Sequence, residues 1–230
     1  MAIVVQKFGG SSLADVERVG HVADFVKRTS QSGSKLIVVV SAMGKTTENL
    51  LDLARTAASP HSSAAPAAGA LPRRELDMLV SSGERVSMAL LSIALHVRGV
   101  RAVSLTGSQA GIVTSTLHFD ARIQEIRRER LLNELATHDV VVVAGYQGVS
   151  PEREITTLGR GGSDTTAVAL AAAFGAARCE IYSDVDGVYT ADPNRIQNAR
   201  HLPELDYVTL QEMADAGAKV LNARAVDWGR

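Results

Sequence analysis

Short runs of β-branched and aliphatic residues alternate along the chain with longer stretches whose apolar positions recur every three or four residues. Ile3-Val4-Val5 runs into Lys7-Phe8-Gly9-Gly10-Ser11-Ser12, and Val16, Val19, Val22, Ala23 and Val26 follow at helical spacing. The order is strand, glycine turn, helix. Lys35 to Val40 repeats it, breaking at Ser41-Ala42-Met43-Gly44 before a helix through Leu50, Leu51 and Leu53. From Arg73 to Val97, Leu76, Leu79, Val80, Val86, Leu90, Leu91 and Leu95 trace a long helix that Ser82-Gly83-Glu84 is expected to interrupt. An interior glycine there costs about 1 kcal/mol relative to alanine and suggests close backbone approach. Val100 to Leu105, Val140 to Ala144 and Glu180 to Ser183 read as further strands, with helical patterns at residues 119 to 136 and 163 to 175 between them. Strands alternating with helices predict a largely parallel sheet, in which ligands sit where the strands' carboxyl ends run into loops.

Residues 56 to 72 carry Ala, Ser, Pro and Gly with almost no large apolar side chain, so a mobile surface loop is expected there within one domain spanning 1 to 230. The hydrophobic fraction of 46% excludes a disordered chain, and aromatics at 4% leave Val, Leu, Ile and Ala to build the core. A net charge of -1 gives no footprint for nucleic acid or an anionic membrane. The apolar runs fall short of the roughly 20 residues that cross a bilayer. A single cysteine, Cys179, has no partner for a disulfide, and the N-terminus lacks the features of a signal peptide. A cytoplasmic location is expected.

Gly9-Gly10-Ser11 offers backbone N–H groups unobstructed by Cβ, a helix follows with its positive dipole end, and Lys7 adds a full charge: an anion cradle. A merely structural turn would look similar. The spacings of the Walker A loop and of the dinucleotide fingerprint are both absent. Gly159-Arg160-Gly161-Gly162-Ser163-Asp164 is a second such segment. Ser163 or Asp164 would cap the next helix, but a cap leaves unexplained a guanidinium held between glycines, which suits a carboxylate or phosphate clamp. Asp164 near Lys7 would hold that lysine in place. Asp184-Val185-Asp186-Gly187 reads as a hairpin turn rather than a metal cage, since the remaining EF-hand ligands are missing. The histidines show no paired ligand spacing, and Arg127, Arg128 and Arg130 read as a solvated helix face.

Six ordered segments then resemble aspartokinases, of the amino acid kinase superfamily: Lys7 to Ser12, Val39 to Thr47, Ser82 to Arg85, Gly159 to Asp164, Ser183 to Thr190 and Gly217-Ala218-Lys219-Val220-Leu221. The resemblance covers essentially the whole chain. It implies a three-layer αβα sandwich around an open, mainly parallel sheet of about eight strands, with hairpins near residues 112 to 118 and 184 to 190 supplying strands. It also implies phosphoryl transfer from ATP to the β-carboxylate of L-aspartate, giving 4-phospho-L-aspartate for lysine, threonine and methionine synthesis. Mg2+ would be held mainly by phosphates and water.

By position, Lys7, Gly9 and Gly10 resemble the groups that stabilise the transferring phosphoryl, and Asp164 the group that orients Lys7. Ser41, Thr47 and Ser163 resemble aspartate-contacting residues, Glu84 the carboxylate that receives the substrate ammonium, and Arg160 the guanidinium that pairs its α-carboxylate. Lys7, Gly10, Ser183, Asp184, Tyr189, Arg195 and Lys219 resemble the nucleotide side. The chain departs from the family at Asn222-Ala223, where His-Pro is usual, and at Ala144, Ser115 and Asn194. Such enzymes usually carry C-terminal ACT regulatory domains. None is expected within these residues, so feedback inhibition is not expected, and a homodimer or a separate regulatory subunit would assemble the protein. A sister kinase acting on another small carboxylate or on uridine monophosphate, and a catalytically silent module of the same fold, are the alternatives.

Overall fold

The computed structural model describes residues 2–58, 71–218 and 221–230. Most of the expected surface loop, residues 59–70, lies outside the described residues, while 56–58 form the last turn of a helix. In chain order the elements are β1 (Ile3–Phe8), a 3-10 turn (Ser11–Leu13), α1 (Val16–Ser30), β2 (Lys35–Val40), α2 (Thr46–Ala58), α3 (Arg73–Val97), β3 (Ala102–Leu105), β4 (Ile112–Thr114), β5 (Ile123–Ile126), α4 (Glu129–Thr137), β6 (Val140–Ala144), β7 (Gln147–Val149), β8 (Ile155–Thr157), α5 (Gly162–Phe174), β9 (Arg178–Tyr182), β10 (Val188–Tyr189), β11 (His201–Leu202), α6 (Tyr207–Asp215) and α7 (Ala223–Gly229).

A parallel sheet of order β3-β6-β2-β1-β9 forms the centre. Its inner strands β2 and β6 are hydrophobic on both faces because helices cover both. Val4, Phe8, Leu36, Val38, Val40, Val140 and Val142 pack into one core with α1 and α3. The intervening Val5, Ile37, Val39, Val141 and Val143 pack into a second with α4 and α5. Alternation along each strand thus builds two cores and three layers.

The αβα architecture is the one expected, but the parallel sheet has five strands among the described residues rather than about eight. Strands β4 and β5, near the expected hairpin, belong to a separate sheet of order β5-β4-β7-β8. Residues 184 to 190 do not fold back on themselves. Instead β10 pairs with the more distant β11, Tyr189 opposite His201.

Two further expectations change. The helical pattern over residues 119 to 136 divides into β5 and α4. Ile123 and Ile126 both join the second core because the β4–β5 register shifts between Val113 and Thr114, and that irregular spacing mimics a helical period. Helix α3 runs unbroken through Ser82-Gly83-Glu84. The close approach inferred for Gly83 is real: a Cβ there would stand 2.8 Å from the Ala42 Cβ. By length and composition α3 could cross a membrane, but Leu76, Val80, Leu91 and Leu95 on it are buried in the fold. Of the basic run, Arg127 pairs with Glu125 and Arg130 with Glu134, all except Glu134 well exposed, as expected of a solvated face.

Candidate active site

The central strands end level with one another, Phe8 opposite Val40 and Tyr182, and Val40 opposite Ala144. Each ladder continues one bond past its strand: Ser41 N–H donates to the Phe8 carbonyl at 3.1 Å, Gly145 N–H to Val40 at 3.0 Å and Gly9 N–H to Tyr182 at 3.2 Å. Four loops are thereby stitched side by side at the sheet's carboxyl edge.

Alternation turns Val5 and Lys7 of β1 toward α5, and Asp164 stands in the first turn of that helix. Lys7 Nζ and Asp164 Oδ1 lie 2.7 Å apart, the side chains 10% and 17% exposed, so the inferred pairing is present and largely shielded from water. Gly9 is expected to give its amide to a phosphoryl group, but that N–H is committed to Tyr182. What Gly9 provides is clearance, since a Cβ would stand 3.4 Å from Lys7 Nζ. Gly10 N–H makes no backbone hydrogen bond among the described residues and remains available. A side chain at Gly10 would press on the Ala42 carbonyl at 2.9 Å, so glycine lets the first and second loops close together. Gly44 N–H then donates to the Gly10 carbonyl at 3.0 Å.

Ser41 is half-buried at the start of the second loop, and Thr47 is half-buried in the first turn of α2, which the Thr46 hydroxyl anchors on the Met43 carbonyl at 2.6 Å. Glu84 projects from α3 onto the same loop. It is 3% exposed, Oε1 accepts from Ala42 N–H at 3.1 Å, and Oε2 is buried with no hydrogen-bond partner. Burial pushes its pKa up to about 7, against the opposing pull of the Ala42 amide. A carboxylate with one oxygen fixed and the other unpaired is a receptor for a cation.

The fourth wall is the Gly159–Gly162 loop. Ser163 is buried, and its hydroxyl side packs where a Cβ on Gly145 would sit, 2.8 Å from Oγ. Arg160 itself is exposed, and its carbonyl accepts from Asn222 Nδ2 at 2.9 Å while Asn222 Oδ1 caps α7 through Arg224 N–H. The departure at Asn222 therefore ties α7 to the loop.

The expected nucleotide side begins where β9 ends. Ser183 and Asp184 are exposed there, beside the first loop. Tyr189 donates to Asp186 Oδ2 at 2.9 Å and packs edge-on to His201, so Asp186 is used in holding that aromatic. Arg195 is exposed, 3.8 Å from Asp192. Lys219 lies outside the described residues. Among the described residues no group of three or more His, Cys, Asp or Glu gathers as a metal cage.

Two residues near this pocket escape sequence reading. Asp77, on α3 two turns before Glu84, is fully buried. Tyr146 adopts a φ of +67°, and its phenol is pushed up to about 12, chiefly by burial, with the negative charges of Glu84 and Asp77 adding to it. Tyr146 directly follows Gly145 just past the end of β6, while Asp77 belongs to no glycine motif. The one available signal was an acidic residue on the apolar face of α3.

The amino acid kinase family model matches residues 2–230. An aspartokinase from Mycolicibacterium smegmatis is 52% identical over all of this chain and 52% of its own length, and one from Geobacillus stearothermophilus is 51% identical over all of this chain and 54% of its own. The chain spans about half the length of these curated relatives. Among solved structures, aspartate kinase from Synechocystis superposes with a TM-score of 0.82 at 49% identity, covering all of this chain and 36% of that one. E. coli aspartokinase III in complex with aspartate and ADP gives 0.84 at 30% identity, covering 97% of this chain and 58% of that one. With the family model matching nearly its full extent, this chain belongs to the amino acid kinase family.

Proposed function

We propose that these residues transfer the terminal phosphoryl group of ATP to the β-carboxylate of L-aspartate, forming 4-phospho-L-aspartate and ADP. The observation that carries this reading is Glu84: a buried carboxylate with an unpaired oxygen, packed against the second loop of a cluster that also holds Lys7. A buried anion of this kind fits an amino acid's ammonium. It argues against a nucleotide as the acceptor, since a phosphate beside it would meet like charge. The complex of E. coli aspartokinase III with aspartate and ADP adds support.

In this reading the ammonium of aspartate meets Glu84 Oε2 and its α-carboxylate meets the Arg160 guanidinium, with Ser41, Thr47 and Ser163 lining the pocket. The β-carboxylate is already ionised at neutral pH, so no general base is required. One of its oxygens attacks the γ-phosphorus, the bond from that phosphorus to the β,γ-bridging oxygen breaks, and the electron pair leaves with ADP. Lys7, held by Asp164, and the Gly10 N–H meet the charge that moves onto the bridging oxygen. Ser183, Asp184, Tyr189 and Arg195 face the nucleotide. Magnesium would accompany the nucleotide, held by its phosphate oxygens and water. The product is the activated acid from which lysine, threonine and methionine synthesis would draw.

Coupled measurement of ADP release with aspartate, glutamate, acetylglutamate and uridine monophosphate in turn tests the reading. Aspartate alone should support turnover. Turnover with any other acceptor and not with aspartate would replace it with a sister kinase, and turnover with none would indicate a silent module.

A further inference from the structure

We propose that Asp77 is a positioning residue for the aspartate pocket, a buried strut that sets the distance between the helix carrying Glu84 and the loop carrying Arg160. The inference rests on the aspartate reading of those two residues. Asp77 is 0% exposed and stands seven residues before Glu84, on the same face of α3. Its carboxylate collects donors from two other segments. Oδ1 accepts from Thr157 Oγ1 at 2.5 Å and from Phe119 N–H at 3.1 Å, and Oδ2 accepts from His118 Nδ1 at 2.6 Å and Phe119 N–H at 3.2 Å.

Thr157 is the last residue of β8, and Leu158-Gly159-Arg160 follows it directly. The segment that Asp77 grips from the other side is laid against this strand end. Ala121 N–H donates to the Thr157 carbonyl at 2.8 Å, and a Cβ on Gly159 would stand 3.0 Å from Asp120 Oδ1. Asp120 pairs with Arg224 at 2.8 Å, which also donates to the Leu158 carbonyl at 3.3 Å. Phe119 has a φ of +68°, a conformation rare outside glycine, and the carboxylate on its amide holds it there.

Packing alone does not explain a charge at this position. The neighbouring buried positions Leu76 and Val80 on α3 are apolar, and an apolar residue in a core commonly matches or exceeds a buried ion pair in stability. What an apolar side chain could not do is fix three donors from two segments in one geometry. Asp77 does not itself reach a substrate. It acts through the spacing of Glu84 and Arg160, which hold the two α-groups of one small molecule.

The test is steady-state kinetics on the full chain, with aspartate and ATP each varied, for wild type, Asp77→Asn, His118→Ala and His118→Asn. His118 is only partly buried, so its variants decide the matter if Asp77→Asn does not fold. Because small misplacements of a bound substrate are costly, Asp77→Asn should raise the aspartate KM about tenfold and His118→Ala about fivefold, with the ATP KM within about twofold of wild type. The asparagine amide nitrogen can occupy the place of Nδ1, so His118→Asn should return the aspartate KM to within about twofold of wild type. An active wild type whose aspartate KM is unmoved by His118→Ala and Asp77→Asn overturns the proposal and leaves the aspartate reading standing. So does a parallel rise in both KM values, or failure of His118→Asn to restore, since either marks general structural damage. A wild type that does not turn over aspartate removes the reading and this inference with it.

Discussion

A carboxylate sealed from water destabilises the fold that contains it unless something answers its charge, and Glu84 has an answer for only one of its two oxygens. Below about pH 4.5 the group is protonated in both folded and unfolded chains. Between there and about 7 the unfolded chain gives up its proton while the folded chain keeps it, so stability falls as the pH rises. The penalty, on the order of 3 kcal/mol, is complete above the folded pKa. Glu84→Gln should therefore stabilise the ligand-free protein at pH about 8 and have little effect near pH 4, by urea unfolding. The same change should cost aspartate affinity. In wild type, kcat/KM for aspartate should rise through an apparent pKa of about 7 as the receptor ionises, while kcat/KM for ATP should not follow. A flat aspartate profile would mean that Glu84 does not meet the ammonium. Lys7→Ala should lower kcat by about 100-fold or more while moving the ATP KM little, because its charge matters most as negative charge shifts in the transition state. Wild-type turnover in that variant would remove Lys7 from the chemistry. The Lys7–Asp164 pair was legible because each residue lies within a glycine-rich segment beside a strand or helix end. Asp77 was not, because its partners stand 41, 42 and 80 residues away in sequence and carry no motif.

At the scale of elements, the contact between α3 and the second loop decides whether Glu84 reaches its place. Gly83→Ala would gain about 1 kcal/mol of helix propensity. Against that, the new methyl would lie 2.8 Å from the Ala42 methyl, and overpacking of this kind costs about 1–3 kcal/mol. The overpacking should win: the variant should melt at lower temperature and bind aspartate more weakly, because Ala42 N–H also anchors Glu84. An unchanged melting temperature and aspartate KM would show that the loop yields freely. Strong periodicity made α1 and α3 readable from residue spacing, and an alanine-rich run after a glycine segment marked α5. It failed between residues 119 and 136, where a bulged strand imitates a helix, and at β10, whose partner lies beyond a long loop. Alternation along the chain reports which side of a strand is buried, not which distant strand lies beside it.

For the molecule as a whole, the two-faced burial of β2 and β6 follows from their runs of Val, Ile and Leu, and the parallel pairing of the five central strands places their carboxyl ends on one edge. The partition into a five-stranded parallel sheet and a separate four-stranded one depends instead on pairing across many residues. If the loops at that edge form one pocket, aspartate should raise the melting temperature of the folded protein, by about 2.7 kcal/mol of stabilisation at 100 times its dissociation constant. Glu84→Gln should abolish that shift and leave the one produced by a nonhydrolysable ATP analogue. The most direct measurement of the proposed reaction is to trap its product: incubate the protein with ATP, magnesium, aspartate and hydroxylamine, and identify the acyl hydroxamate by mass and by chromatography against authentic α- and β-hydroxamates of aspartate, which share one mass. Phosphorylation of the side-chain carboxylate predicts aspartate β-hydroxamate in equal amount to the ADP released. ADP released without a hydroxamate, or a hydroxamate formed on the α-carboxylate, would contradict it.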